Sequence, residues 1–156
     1  MRRMDRAVTD PERVRQLLEE CRVCRLGLWD GQEVYIVPMN YGYTFKDGQL
    51  TLYFHCAQEG RRMDILAQRP AVSFELDRCG AYTGEGDVAC TYSCHYQSLM
   101  GTGMACILHS TAEKIAGLKH IMRHATGREF SFTEDMVQGV TVFSVTACGY
   151  SCKKKS

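Results

Sequence analysis

The spacing of apolar positions changes several times along this chain, and each change marks a new element. Thr9-Asp10-Pro11-Glu12 supplies a capping side chain, a proline for the first helical turn and an acid near the positive end of the helix dipole. Val14, Leu17, Leu18 and Cys21 follow at i, i+3, i+4 and i+7, which predicts a helix burying one stripe. Strand-forming runs then cover residues 23–29 and 33–40 around Asp30-Gly31, a strong hairpin signal. A second pair, 41–45 and 49–55, flanks Lys46-Asp47-Gly48. Residues 60–68 place Met63, Leu66 and Ala67 at helical spacing and are bounded by Pro70.

Residues 71–76 predict another strand, and the Gly-rich stretch 78–89 has no period, so a loop is expected. Residues 91–108 are long for one strand and contain Gly101 and Gly103, which suggests a bend or bulge. Ser110-Thr111-Ala112-Glu113 is a capping box opening a helix with Ile115, Leu118, Ile121 and Met122 on one face, closed by Gly127. Residues 139–147 alternate as a last strand. Six to seven hairpin-linked strands with flanking helices predict an α+β, mainly antiparallel barrel rather than a doubly wound sheet. No repeat or linker divides the chain, so residues 1–156 are read as a single domain.

Charge narrows the partners. A formal net charge of +1 gives no support to a nucleic-acid or membrane surface. The basic run Cys152-Lys153-Lys154-Lys155-Ser156 is expected to be a solvated end. No apolar leader-like region or run of about 18 apolar residues is present, and nine cysteines then argue for free thiols in a reducing cytoplasm. Cys21-x2-Cys24, Cys90-x3-Cys94-His95 and Cys148-x3-Cys152 invite a zinc reading. Cys21, however, belongs to the apolar stripe of the first helix, so buried thiols and no metal are expected. His120 and His124 stand four apart without a glutamate after the first, and solvated helix residues are expected there.

The chemistry concentrates in residues 50–66, LTLYFHCAQEGRRMDIL. A strand ends at His55, and a helix begins at Gly60 with Arg61 and Arg62. Free N–H groups, the helix dipole and two guanidinium forks can hold a phosphate there, although paired arginines at a helix start are also commonly solvated. Val37-Pro38-Met39-Asn40-Tyr41 puts a proline inside a strand pattern, which fits either an ordinary edge strand or a strand bordering a ligand.

YFHCAQEGRRMDIL, with VPMNYGY before it and YQSLMGTG after it, resembles the flavin-binding relatives of pyridoxamine 5'-phosphate oxidase, in the nitroimidazole-resistance (Nim-type) branch. The resemblance runs over residues 2–145. It implies an FMN-binding split β-barrel that forms a homodimer with FMN, or alternatively FAD, at the subunit interface. It also implies reduction of a nitroaromatic or similar small electrophile through the flavin.

Residue by residue, Arg62 stands eight positions before Pro70, as a phosphate-binding base does in the oxidases, although Arg69 replaces their asparagine. Arg61 lies beside it. Val37, Pro38, Met39, Asn40 and Tyr41 would border the ring, and Cys56, Ala57 and Gly60 would line the site. His55 would sit near the ring as a proton donor, since imidazole chemistry suits neutral pH. Tyr96 and Ser98 replace the oxidases' Gln-x-Arg, which puts pyridoxine-phosphate oxidation in doubt and favours the Nim-type branch. No Gly-x-Gly-x-x-Gly appears, so a nicotinamide donor would visit the flavin face directly. The alternative is a non-catalytic flavin- or haem-binding storage or sensor protein, with His55, His95 or His120 as the axial ligand.

Overall fold

Every strand in this protein runs antiparallel to its neighbours, in one sheet whose two ends are held close by a short link and a helix. The computed structural model describes residues 4–155. The elements are β1 (Ala7–Val8), α1 (Pro11–Glu20), β2 (Cys24–Trp29), β3 (Val34–Met39), β4 (Gly42–Lys46), β5 (Gln49–Cys56), α2 (Arg61–Gln68), β6 (Ala71–Thr83), β7 (Ser93–Leu108), α3 (Thr111–Thr126), α4 (Glu134–Gln138) and β8 (Thr141–Lys155). The sheet order is β3-β2-β6-β7-β8-β5-β4, with β1 paired to β8. The sheet does not close, so β3 and β4 are its two end strands, joined through Asn40 and Tyr41. A mostly antiparallel sheet of eight strands with flanking helices is consistent with the split-barrel architecture.

The inward positions of the strands make one core. Leu26, Leu28, Leu50, Leu52, Phe54, Leu76, Leu99, Phe143 and Val145 are wholly buried, and Val14, Leu17 and Leu18 of α1 join them. Asp10 caps α1 by accepting from the Glu12 N–H at 3.0 Å. α3 covers β4, β5 and β8 from the other side, where Leu118, Ile121, Val137 and Val142 form a second cluster. The Ser110–Glu113 capping box opens α3, and Gly127, at φ 70°, closes it. The fit of α3 on β4 is tight: a Cβ added to Gly42 would lie 2.2 Å from the His120 carbonyl carbon.

Several expectations change. The strands number eight among the described residues rather than six or seven, because β1 is only two residues long and is made by its partner β8, not by a pattern of its own. The stretch 78–89 is not all loop, since β6 continues to Thr83. Its outer half is exposed and so lacks an apolar period, yet its backbone pairs with β7 from Asp77↔Ser98 to Thr83↔Ser93. The final strand runs past Ala147 to Lys155, and Lys153–Lys155 are paired with β7 rather than solvated at a free end; Ser156 lies outside the described residues. The expected irregularity at Gly101 and Gly103 is present between Thr102 and Gly103, with Cys148 of β8 as the extra residue.

His124 is also not solvated. It is buried, with Nδ1 2.8 Å from the Tyr41 carbonyl and Nε2 2.9 Å from that of Leu18. Tyr41 directs its hydroxyl at the carbonyls of Leu18 (2.7 Å) and Cys21 (3.2 Å). His120 stacks on Tyr53 with ring centroids 4.8 Å apart. Together these contacts tie the link between β3 and β4 to α1 and α3.

Candidate functional site: an arginine between β3 and β5

α2 starts where β5 ends and crosses toward the β2–β3 hairpin, so the ends of β3 and β5 meet at one helix start. Gly60, at φ 124°, takes a backbone conformation that favours glycine and provides no side-chain cap. The N–H groups of Arg61 and Arg62 are therefore left without a capping oxygen, whereas that of Met63 donates to the Gly60 carbonyl at 2.8 Å. Arg62 sits in this turn. Its Nη1 is 3.1 Å from Met39 Sδ on β3, and its guanidinium also acts on the Cys56 thiol at the end of β5. Burial pushes that thiol up, and Arg62 opposes the shift.

The surroundings of Arg62 are chemically incomplete. Among the described residues it has no carboxylate partner, and its buried Nε has no hydrogen-bond partner at all. Sulfur is a weak acceptor, so a cation held by Met39 and Cys56 still lacks strong oxygen acceptors. An anion at the uncapped helix start would supply them, and phosphate suits both the fork and the dipole. The residues present fit a phosphate-bearing group.

Arg61 has a different part. It pairs with Asp30 Oδ2 at 2.7 Å and Glu33 Oε1 at 2.5 Å, and lies over the Tyr35 ring. It fastens α2 to the hairpin of β2 and β3. Asp30 also accepts from the N–H groups of Glu33 and Gln32. The Glu33 N–H, then Arg61, then the Gln32 N–H hold the Asp30 carboxyl at about 2.

The remaining sequence-predicted residues divide by position. Met39 and Cys56 point inward at Arg62, and Val37 packs against the same core. Pro38 is exposed on β3, an end strand where its missing N–H interrupts no second ladder. Asn40 donates from Nδ2 to the Arg22 carbonyl at 3.1 Å. The Tyr41 side chain is a core residue with its hydroxyl engaged, so it offers a ligand no side-chain contact. Ala57 and Gly60 are exposed on the connection into α2.

His55 is exposed and, by strand alternation, projects to the face of β5 opposite Cys56. Tyr96 and Ser98 lie on β7 opposite Cys79 and Asp77. Neither hydrogen-bonds Arg62 in the single chain, and the Tyr96 hydroxyl accepts from Arg6 Nη1 at 3.1 Å.

A second feature was not singled out in the sequence. On the outer face of the sheet, Ile36, Gly27, Ser73, Thr102 and Gly149 stand side by side across five strands. Val34, Ile36, Trp29, Met100 and Met104 are exposed around this flat floor. A cavity of about 710 Å³ opens over it, with Arg25 and Glu75 on its rim. The signal was available: β3 reads VYIVPM, apolar on both faces, which marks a strand covered twice. Among the described residues no three His, Cys, Asp or Glu side chains converge as metal ligands. Burial raises the Cys21 and Cys24 thiols to about 11 and about 12.

The family profile described as pyridoxamine 5'-phosphate oxidase matches residues 10–148. This chain belongs to that family. Its fold resembles a candidate 5-nitroimidazole antibiotic resistance protein from Bacteroides thetaiotaomicron at TM-score 0.82 and 28% identity, over 95% of this chain and 86% of that one. It resembles an FAD and haem binding protein from Mycobacterium smegmatis at TM-score 0.74 and 16% identity, over 97% and 74% of the two chains. A NimC/NimA family protein from Clostridium acetobutylicum is similar at TM-score 0.55 and 16% identity, over 93% and 86%. No curated protein matches the chain by sequence. Among the described residues no helix is long and apolar enough to cross a membrane.

Proposed function

We propose that the protein binds FMN, or FAD, with its phosphate at Arg62, and works as a homodimer that reduces a nitroaromatic or similar small electrophile. The observation that carries this reading is the half-buried Arg62, which among the described residues has no carboxylate partner and whose buried Nε is unpaired beside a helix start without a side-chain cap. Family membership and the likeness to a candidate nitroimidazole-resistance protein and an FAD and haem binding protein support it. FMN when bound supplies two-electron transfer at its ring.

The chain's own residues do the rest. Arg62 and the first N–H groups of α2 anchor the phosphate, while Arg61 holds the helix to the hairpin and leaves Arg62 free of competing carboxylates. Val37, Pro38 and the β3 backbone border the ring. The Asn40 amide is already directed at Arg22, so it fixes the link between β3 and β4 instead of turning freely toward a ligand. His55, exposed at the end of β5, carries the proton that nitro reduction requires. The outer apolar face takes a second copy of the chain, with Arg25, Glu75 and Asp77 as a charged rim. The partner then contributes its own Tyr96 and Ser98 edge.

The test is FMN titration of wild type and Arg62→Ala by flavin fluorescence quenching. About tenfold weaker binding in the variant, a loss of about 1.4 kcal/mol, is expected. Unchanged affinity would move the phosphate elsewhere, and no binding by wild type would overturn the flavin reading. A Soret spectrum in the purified protein would instead favour haem storage or sensing.

A further inference from the structure

The β6–β7 hairpin carries chemistry that the proposed flavin site does not use. Pairing between these strands slips between Cys79 and Tyr82, where Gly80 and Ala81 stand against the single residue His95. Cys79 lies opposite Tyr96, and Cys94 lies opposite Tyr82 on the far side of the bulge. With His95 between them, Cys94 and Tyr96 share one face of β7, and this is the face on which Cys79 meets Tyr96. The bulge bends the cysteines toward each other. Cys94 Sγ reaches across to the Gly80 carbonyl at 3.6 Å, and the Cys79 thiol is within hydrogen-bonding reach of the Cys94 thiol.

We propose that Cys79 and Cys94 are a reversible dithiol–disulfide site that staples the β6–β7 hairpin at its bulge. The other thiols are differently placed. Cys21, Cys24, Cys56 and Cys152 are buried, while Cys90, Cys106 and Cys148 are exposed on a 3-10 turn, β7 and β8. Cys79 is exposed and Cys94 partly so, which leaves the pair open to a small oxidant.

The oxidant class is a low-molecular-weight disulfide. The thiolate of one cysteine of the pair attacks one sulfur of the small disulfide. That S–S bond breaks, a mixed disulfide forms, and the first small thiolate leaves with the electron pair. The other cysteine then loses its proton and attacks the protein sulfur of the mixed disulfide, which expels the second small thiolate. The two protons given up by the cysteines end on two small thiols. One protein disulfide is formed and one small disulfide is reduced.

The experiment treats the full chain with oxidised glutathione and cleaves it without reductant at Glu85, which lies between the two cysteines. The expected result is an intact mass lower by two hydrogens, with fragments on either side of Glu85 that stay joined until reductant is added. Cys79→Ser and Cys94→Ser each abolish the link, while Cys90→Ser retains it. A persistent glutathione adduct on Cys79 or Cys94 in the wild-type protein, or a link to Cys90, would overturn the assignment. So would unlinked, unmodified fragments.

Discussion

Replacing Gly42 by alanine tests how the fold holds the link between β3 and β4 against α3. The new Cβ would lie 2.2 Å from the His120 carbonyl carbon, 2.3 Å from the Ile121 nitrogen and 2.5 Å from the His120 oxygen. All three are backbone atoms of α3, so no side chain can rotate out of the way. Reaching even a close contact of 3.4 Å needs a retreat of about 1.2 Å between helix and strand. Overpacking of this kind costs about 1–3 kcal/mol. The same retreat pulls the His124 ring from the carbonyls of Tyr41 and Leu18, and losing the hydrogen bond that one ring N–H donates there costs about 1 kcal/mol. The expected destabilisation is therefore about 2–4 kcal/mol, a large part of a typical domain's stability. At about 2–4 °C per kcal/mol, the midpoint should fall by about 4–16 °C. Thermal unfolding followed by far-UV circular dichroism measures it, with Gly139→Ala as the control. No atom lies within 4 Å of a Cβ at Gly139, so that change should stay within about 1 kcal/mol of wild type. Equal midpoints for the two variants would refute the tight fit of α3 on β4.

Asp30 should contribute to acid stability, because its carboxyl falls from 3.8 to about 2 on folding. The contribution is present above about pH 4 and is lost as the pH drops toward 2, so Asp30→Asn should flatten the stability profile across that window. A steep profile retained in the variant would assign the acid transition to other groups. Arg61→Ala removes two exposed ion pairs and should leave FMN affinity closer to wild type than Arg62→Ala does; the reverse order by fluorescence titration would exchange their roles. Ser110→Ala breaks the capping box of α3 and should cost about 1 kcal/mol in urea unfolding, whereas no loss would mean that packing alone sets the helix start.

Local chemistry in the sequence carried much of this structure. The caps at Asp10 and Ser110, the Asp30-Gly31 turn and the helical spacing after Gly60 all act through neighbours a few residues away, and each lies where it was expected. What the pattern could not show depends on partners distant in the chain. β1 exists because Ala7 and Val8 meet Lys153 and Cys152. The exposed half of β6 is held by backbone pairing, which leaves no mark on side-chain hydrophobicity. His124 looks like a surface histidine by spacing, but the carbonyls that bury it come from Leu18 and Tyr41. At the candidate site, Arg62 was legible as a helix-start cation, whereas its sulfur surroundings came from β3 and β5 together. The alternation that puts His55 and Cys56 on opposite faces was legible too, and it separates His55 from the arginine.

The place of β8 in the sheet has a consequence for how the chain is made. The order β7-β8-β5 means that one late segment, Thr141–Lys155, joins two groups of strands made long before it. Until that segment leaves the ribosome, β7 and β5 each present an unpaired edge, and the cores of the two groups lack Phe143 and Val145. Open edges of this kind pair readily with other chains. A nascent chain halted before Thr141 is thus an aggregation hazard, and the yield of native protein should depend on how quickly synthesis passes that point.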